Sequence, residues 1–358
     1  MNSDDMCYTS ANLTAKTHAL VTKYSDTKGR TWSPLAVVDE GATCAKDPPS
    51  GGLGAGAPTV WDSIRKQIVV VYNAGDFNGT AAGGDQDQAV VTSKDGVAWS
   101  RPRQLPRLAG AFISEGLGLQ LSASNPHAPG RLLFSGTYGH CDKTIPFCGA
   151  YGVGLKHCVW YSDDGALTWN VKGTEVAMNE AQMAELPGGA ILINGRNTIN
   201  CSAFPAQPNV PHSLGNCRSL ATSTDGGLSF GAATVSTELH GPAAAGSMKN
   251  RHANLSTLFF SHARSIAPVP CAVPPGCNGY RSSGTIWRSD NGGADWAIEA
   301  NVTGPKMGPD DSFGYSSLAF ISENELGLLH ETGDEDCPWY SSACRIVYRT
   351  VTVKSMDE

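Results

Sequence analysis

Ser162-Asp163-Asp164-Gly165-Ala166-Leu167-Thr168-Trp169 is the stretch that decides the fold, because four near copies of it stand elsewhere in the chain. They are Ser25-Asp26-Thr27-Lys28-Gly29-Arg30-Thr31-Trp32, Ser93-Lys94-Asp95-Gly96-Val97-Ala98-Trp99, Ser223-Thr224-Asp225-Gly226-Gly227-Leu228-Ser229-Phe230 and Ser289-Asp290-Asn291-Gly292-Gly293-Ala294-Asp295-Trp296. In chain order their serines lie 68, 69, 61 and 66 residues apart. Each box reads as a hairpin turn. Asp, Asn or Ser accepts backbone N–H bonds, Gly takes the positive φ that a Cβ resists, and the terminal aromatic folds back as a buried anchor. A near-constant period marks a repeat architecture.

The flanks of the boxes have strand character. Lys66–Tyr72 and Ala89–Thr92 precede the second box, Val159–Tyr161 the third and Thr285–Arg288 the fifth. A unit of this length fits four strands with functional loops, which is one blade of a β-propeller. Composition agrees: of 358 residues 41 are Gly and 21 Pro, and only 16% are charged, a balance of strands and turns. The boxes themselves are turn-formers on an outer rim, and no catalytic role falls on them.

Net charge is −7, and no run of Lys or Arg could track a phosphate backbone, so nucleic acid is not an expected partner. Apolar runs such as Gln67–Tyr72 and Leu255–Phe260 have strand length, far short of the ~20 residues of a transmembrane helix. The acidic start Met1-Asn2-Ser3-Asp4-Asp5 carries no apolar signal segment. Eleven cysteines, with short-range pairs Cys201/Cys217, Cys271/Cys277 and Cys337/Cys344, suit loop-closing disulfides and lack the spacing of a structural zinc site. Five sequons, at Asn12, Asn78, Asn200, Asn254 and Asn301, point the same way. Together they indicate the secretory route, lysosomal or extracellular, with N-terminal sequence absent from the chain as written.

Between the boxes lie Asn179-Glu180-Ala181-Gln182 and Asn194-Gly195-Arg196-Asn197, joined by a hairpin through Pro187-Gly188-Gly189. Arg281-Ser282-Ser283-Gly284-Thr285-Ile286 precedes the fifth box, and Gly314-Tyr315-Ser316-Ser317-Leu318 follows it. Boxes and segments together, from Ser25 to the C-terminus, resemble the sialidase (neuraminidase) superfamily. The resemblance implies an all-β, six-bladed β-propeller, one domain over residues 1–358. It implies an exo-α-sialidase that removes terminal sialic acid from glycoproteins, gangliosides or oligosaccharides without a cofactor or metal. Arg196 and Arg281 would hold the substrate carboxylate, since guanidinium forks match it bidentately. Tyr315 would be the nucleophile and Glu180 its base. A neutral nucleophile avoids about 4 kcal/mol of repulsion from the substrate's own carboxylate, and sialidases are the tyrosine exception among glycosidases. The family's opening Arg-Ile-Pro strand, with the first arginine of its triad, has no match here, so the first strand is expected to be missing from the chain as written. Asp5 is the candidate acid/base aspartate. The alternative reading is a catalytically impaired propeller that binds sialylated or other glycans. Asp85 and Asp87 read as solvated rim residues, and His140, His157, His252 and His262 as structural.

Overall fold

A computed structural model describes residues 17–43, 56–75, 87–139, 155–196, 217–242, 244–251, 254–264, 281–304, 311–333 and 345–355. They form an all-β propeller. Strands β1 (Thr17–Thr22) and β2 (Ala36–Thr43) pair with each other and with no third strand. Strands β3 (Thr59–Asp62), β4 (Gln67–Gly75), β5 (Asp87–Ser93) and β6 (Arg103–Gln104) make the first blade in that order. In the second, β7 (Phe112–Ile113) and β8 (Leu119–Gln120) both pair with β9 (Leu132–Tyr138), which is followed by β10 (Lys156–Ser162) and β11 (Asn170–Ala177). The third is β12 (Asn179–Glu185), β13 (Ile191–Arg196), β14 (Cys217–Ser223) and β15 (Thr234–His240). The fourth is β16 (Ser247–Arg251), β17 (Asn254–Ala263), β18 (Gly284–Ser289) and β19 (Ala297–Asn301). The fifth holds three strands, β20 (Ser316–Ser322), β21 (Glu325–Thr332) and β22 (Arg345–Thr352). Every pairing within a blade is antiparallel, which lets short hairpins carry the chain outward from the centre.

The described residues thus hold five blades, not the six that the resemblance implies. In the third and fourth blades a box joins the two outermost strands, and the first box likewise joins β1 and β2. That pair therefore corresponds to the outer half of a blade, and no described strand supplies an inner half. It still bridges the first and last blades. Tyr72 Oη on β4 donates to Asp39 Oδ2 at 2.5 Å. Tyr348 Oη on β22 donates to the Lys28 carbonyl at 3.2 Å, and its ring meets Trp32 edge-on at 5.4 Å.

Blades bury their faces against each other. Val69, Val71 and Val90 of the first pack with Ile113, Phe134 and Trp160 of the second. Leu133 and Val159 then pack with Ile191 and Ile193, Ala184 and Leu192 with Leu258 and Phe260, and Phe259 and Ile286 with Leu318 and Leu328. Adjacent residues such as Val159 and Trp160 serve opposite neighbours, because successive side chains on a strand point to opposite faces. A strand between two blades therefore reads as a continuous apolar run, as Val69–Val71 does.

All five boxes close as turns. The first serine's Oγ accepts a backbone N–H at 2.7–2.9 Å, from Gly29, Gly96, Ala166, Gly227 and Gly293 in turn. Four boxes contain two consecutive positive-φ residues, and the shortened second box has only Gly96. The aromatic anchors are unequal. Trp296 is buried, whereas Trp32 is 40% exposed, because the two-stranded sheet it caps lacks a blade's inner half to pack against.

Candidate active site

The inner strands of neighbouring blades touch around the centre: β8 meets β3 and β12, β12 meets β16, and β16 meets β20. Loops at one end of these strands converge, and there the structure brings together Glu180, Arg196, Arg281 and Tyr315.

Glu180 is the extra residue of a β-bulge. Asn179 pairs with Arg196 and Ala181 with Gly195, leaving Glu180 unpaired in the ladder. Its φ is +24°, a strained value for a non-glycine residue, and the Asn179 side-chain oxygen accepts its N–H at 2.9 Å. A bulge re-aims a side chain that regular alternation would send elsewhere. Here it turns the carboxylate toward the last blade, where Tyr315 Oη donates to Glu180 Oε1 at 2.6 Å.

Arg196 ends β13. One of its terminal nitrogens (Nη1) donates to both Glu180 oxygens, at 2.9 and 3.0 Å, and lies 3.4 Å from Tyr315 Oη. Its Nε has no hydrogen-bond partner among the described residues, so the guanidinium keeps an N–H to offer. Arg281, just before β18, holds its guanidinium 4.9 Å from the centroid of the Tyr315 ring. Its carbonyl accepts the Phe313 N–H at 2.7 Å, tying it to the segment that leads into Tyr315.

Burial raises the Glu180 carboxyl, but the charge of Arg196, the hydrogen bonds from Tyr315 and Arg196, and Arg281 outweigh it and hold Glu180 below the usual carboxylate range. Tyr315 moves upward, first through burial and then through the Glu180 charge beside it. The ground state is thus a neutral phenol donating to a carboxylate. Glu180, Arg196 and Arg281 together leave one net positive charge at the mouth, suited to an anionic ligand.

Several residues of the site escaped sequence reasoning. Glu331 on β21 accepts the Tyr315 N–H on Oε2 at 3.0 Å, while its backbone exchanges hydrogen bonds with Gly314 and Tyr315 at 2.9 Å each. Arg218 on β14 lies fully buried opposite Arg196, donating to Asn194 Oδ1 at 2.8 Å and to the Ala244 carbonyl at 2.7 Å. Burial pulls it down to about 9, which leaves it a cation at neutral pH. Glu115, between β7 and β8, lies within electrostatic reach of Glu180 and Arg196. The signal that marks it in the sequence is an acid directly before the glycines of Gly116-Leu117-Gly118 in a chain poor in charge.

Other expectations fare differently. Asp5 lies outside the described residues, as do Asp85, His140 and His252. Asp87 is no solvated rim residue: it is fully buried and binds Arg107 and Gln104, because a carboxylate opening a strand between packed blades needs paired donors. His157 is buried between Ser135 and Thr174, and burial lowers it to about 3. His262 is buried too, stacked on Phe260. Cys217 is disulfide-bonded. No cluster of metal-ligating side chains occurs among the described residues, and no helix there is long and apolar enough to cross a membrane.

Comparison with known proteins adds the family. The model of the BNR repeat-like domain matches residues 14–330. A sialidase of Micromonospora viridifaciens is 28% identical over 346 residues, covering 88% of this chain and 45% of its own length. This chain therefore spans less than half of that curated relative. Among solved structures, the Hadza microbial sialidase Hz136 aligns with a TM-score of 0.63 at 19% identity, over 93% of this chain and 59% of the other. The intramolecular trans-sialidase of Ruminococcus gnavus aligns with a TM-score of 0.60 at 14% identity, over 95% and 88%. At these identities the structural likeness speaks for the propeller fold.

Proposed function

Because this chain belongs to the sialidase superfamily of BNR-repeat propellers, we propose that it is an exo-α-sialidase, a retaining glycoside hydrolase that releases terminal sialic acid through a tyrosyl intermediate. The observation that carries this reading is the 2.6 Å hydrogen bond from Tyr315 to Glu180, with Arg196 and Arg281 packed against the same pair.

The chemistry follows from the charges. A sialoside carries its carboxylate on the carbon under attack. Arg196 and Arg281 supply the positive charge that holds it, in a buried site where such pairing is strong. Forming a phenolate at pH 7 costs roughly 4 kcal/mol at an ordinary tyrosine, and more at Tyr315, which burial and Glu180 push upward. Free phenolate is therefore not the attacking species. Glu180 accepts the proton as the Tyr315 oxygen bonds to the anomeric carbon, and its lowered proton affinity keeps it anionic until then. The bond to the leaving oxygen breaks as an acid protonates that oxygen, and Asp5 is the proposed acid. Water, deprotonated by the same aspartate, then displaces Tyr315, which recovers its proton from Glu180. Two inversions at one carbon give retention.

On the same footing the substrates are sialylated glycans of glycoproteins, gangliosides or oligosaccharides. The setting is oxidising, lysosomal or extracellular, in keeping with the disulfide at Cys217. The test is turnover of a fluorogenic sialoside at pH 5 to 7, with the anomer first released followed by NMR. Release of the α-anomer supports the reading. Release of a neutral sugar but no sialic acid from a substrate panel sinks it.

A further inference from the structure

Among the described residues of the mouth, Glu180 serves the catalytic pair and Glu331 takes the Tyr315 N–H, which leaves a third carboxyl group, Glu115, without a part. Glu115 lies on the short segment between β7 and β8, and that segment is pinned to β12 by one side chain. Gln182 Nε2 donates to the Glu115 carbonyl at 2.6 Å, and Gln182 Oε1 accepts the Leu117 N–H at 3.0 Å. Gly116 between them has φ +108°, and a Cβ there would stand about 2.1 Å from the Gln182 amide, so the turn closes only with glycine. Two residues of β12 thus share the work: Glu180 faces Tyr315, and Gln182 holds Glu115 beside it. The backbone of the segment is fixed further by Ser114 N–H to the Ser135 carbonyl at 3.0 Å and Gly118 N–H to the Thr59 carbonyl at 3.1 Å.

The side chain so positioned is unfinished. Glu115 Oε2 is buried, with no hydrogen-bond partner among the described residues, and an unpaired buried carboxyl oxygen is costly. A fold that spends a glutamine and a strained glycine on placing such a group leaves it for a ligand. We propose that Glu115 is a substrate-contacting residue, whose Oε2 hydrogen-bonds a hydroxyl or carbonyl group of the bound sugar acid. This rests on the sialidase reading and adds to it a polar contact outside the arginine-held carboxylate.

The protonation state follows from the neighbours. Burial, then the Glu180 charge, push Glu115 up to about 8, with Arg196 opposing. Among the described residues, the titratable groups that act on it are Glu180 from β12, Arg196 from β13 and Tyr315 before β20. Gln182, which holds its carbonyl, carries no charge. Below pH 8 Glu115 is therefore a neutral acid that can donate a hydrogen bond and leaves the mouth attractive to an anion. Above it, a second negative charge opposes the substrate carboxylate.

Calorimetric binding of the unsaturated sialic acid analogue DANA tests this, alongside KM and kcat for a fluorogenic sialoside. Glu115→Ala should weaken DANA binding about tenfold, the equivalent of one well-placed hydrogen bond, and raise KM more than it lowers kcat. Glu115→Gln stays neutral and can still donate, so its affinity at pH 6 should remain within about threefold of wild type. Wild-type affinity should fall as pH rises from 7 to 9, and in Glu115→Gln that fall should shrink to the part that Arg218, at about 9, contributes. Wild-type affinity in a folded Glu115→Ala protein overturns the proposal, and so does an unchanged alkaline fall in Glu115→Gln. The second comparison decides even if the alanine variant fails to fold. A wild-type protein that neither binds DANA nor cleaves the sialoside overturns the sialidase reading, and this inference with it.

Discussion

Asp164 on the rim and Glu180 at the mouth are both carboxylates held below their ordinary range, and they are held by opposite means. The slight burial of Asp164 disfavours its charge, but the hydrogen bonds from Thr168, Ser162 and Leu167 outweigh this and bring it to about 2. Every donor lies within four residues, so the turn solves its own electrostatics. The partners of Glu180 are Arg196 and Tyr315, 16 and 135 residues away. The rim is locally complete and repeats five times. The mouth is assembled once, from four blades, and keeps a strained φ at Glu180 and, among the described residues, unpaired atoms on Arg196 and Glu115. At the mouth, strain and unmet hydrogen bonds lie where a ligand can meet them.

The sharpest way to break this contrast is to remove the one hydroxyl that joins blades across the mouth. Tyr315→Phe should lower kcat by on the order of 10³-fold or more, with melting temperature nearly unchanged, since the ring keeps its place under Arg281. Unchanged hydrolysis would strip Tyr315 of its assigned role. Next in size, Arg196→Met strips buried Glu180 of the one cation hydrogen-bonded to it among the described residues, leaving only the more distant charge of Arg281, and should destabilise the fold by about 3–5 kcal/mol. Denaturant unfolding measures it. The double variant Arg196→Met/Glu180→Leu should recover much of that loss, because the penalty comes from the unpaired charge and not from missing bulk. If the double variant is no more stable than the single, the pair is not coupled as the geometry requires.

The same contrast explains what could be read from the chain. A box is seven or eight consecutive residues whose turn is closed by its own serine and Asp, Asn or Thr side chains, so the repeat and the propeller were legible directly. Glu180, Arg196, Arg281 and Tyr315 were found because each stands in a recognisable strand context, and the structure does gather them. Arg218 and Glu331 were missed because their partners are set by blade packing, and a lone acid or arginine in a strand gives no local sign of what lies across the centre; Glu115, in the turn before β8, had only the glycines after it as a sign. The blade count went astray for a related reason. The first box has its turn and its two flanking strands, but a turn does not report how many inner strands stand behind it. Trp32 tells the same story, being a box anchor left 40% exposed.

On the rim, effects should be smaller and confined to stability. Asp164 has a folded value below its ordinary one near 4, so its contribution is present above about pH 4 and is lost as pH falls through about 2. Asp164→Ala should cost about 1 kcal/mol at pH 7, and almost nothing at pH 2. Unfolding curves of the two proteins at both pH values should therefore converge in acid. A gap that persists at pH 2 would mean that the carboxylate charge is not what the turn uses.

The smallest expected effect separates two boxes that carry the same backbone fault. Lys28 and Ala166 both hold positive φ, at 56° and 66°, where the other full boxes place glycine. A left-handed non-glycine residue costs about 1–2 kcal/mol, and glycine gives back roughly half of that through its looser unfolded state. Lys28 is exposed, so Lys28→Gly forfeits no packing and should stabilise by about 0.5–1 kcal/mol. Ala166 is 1% exposed and packs beside Trp169, so Ala166→Gly also gives up a buried methyl worth about 0.8 kcal/mol and should come out near neutral. Thermal melting of the two single variants reads the difference. Equal gains would show that the methyl of Ala166 adds nothing to the core. A loss at Lys28→Gly would place the value of that lysine in its side chain and not in its backbone.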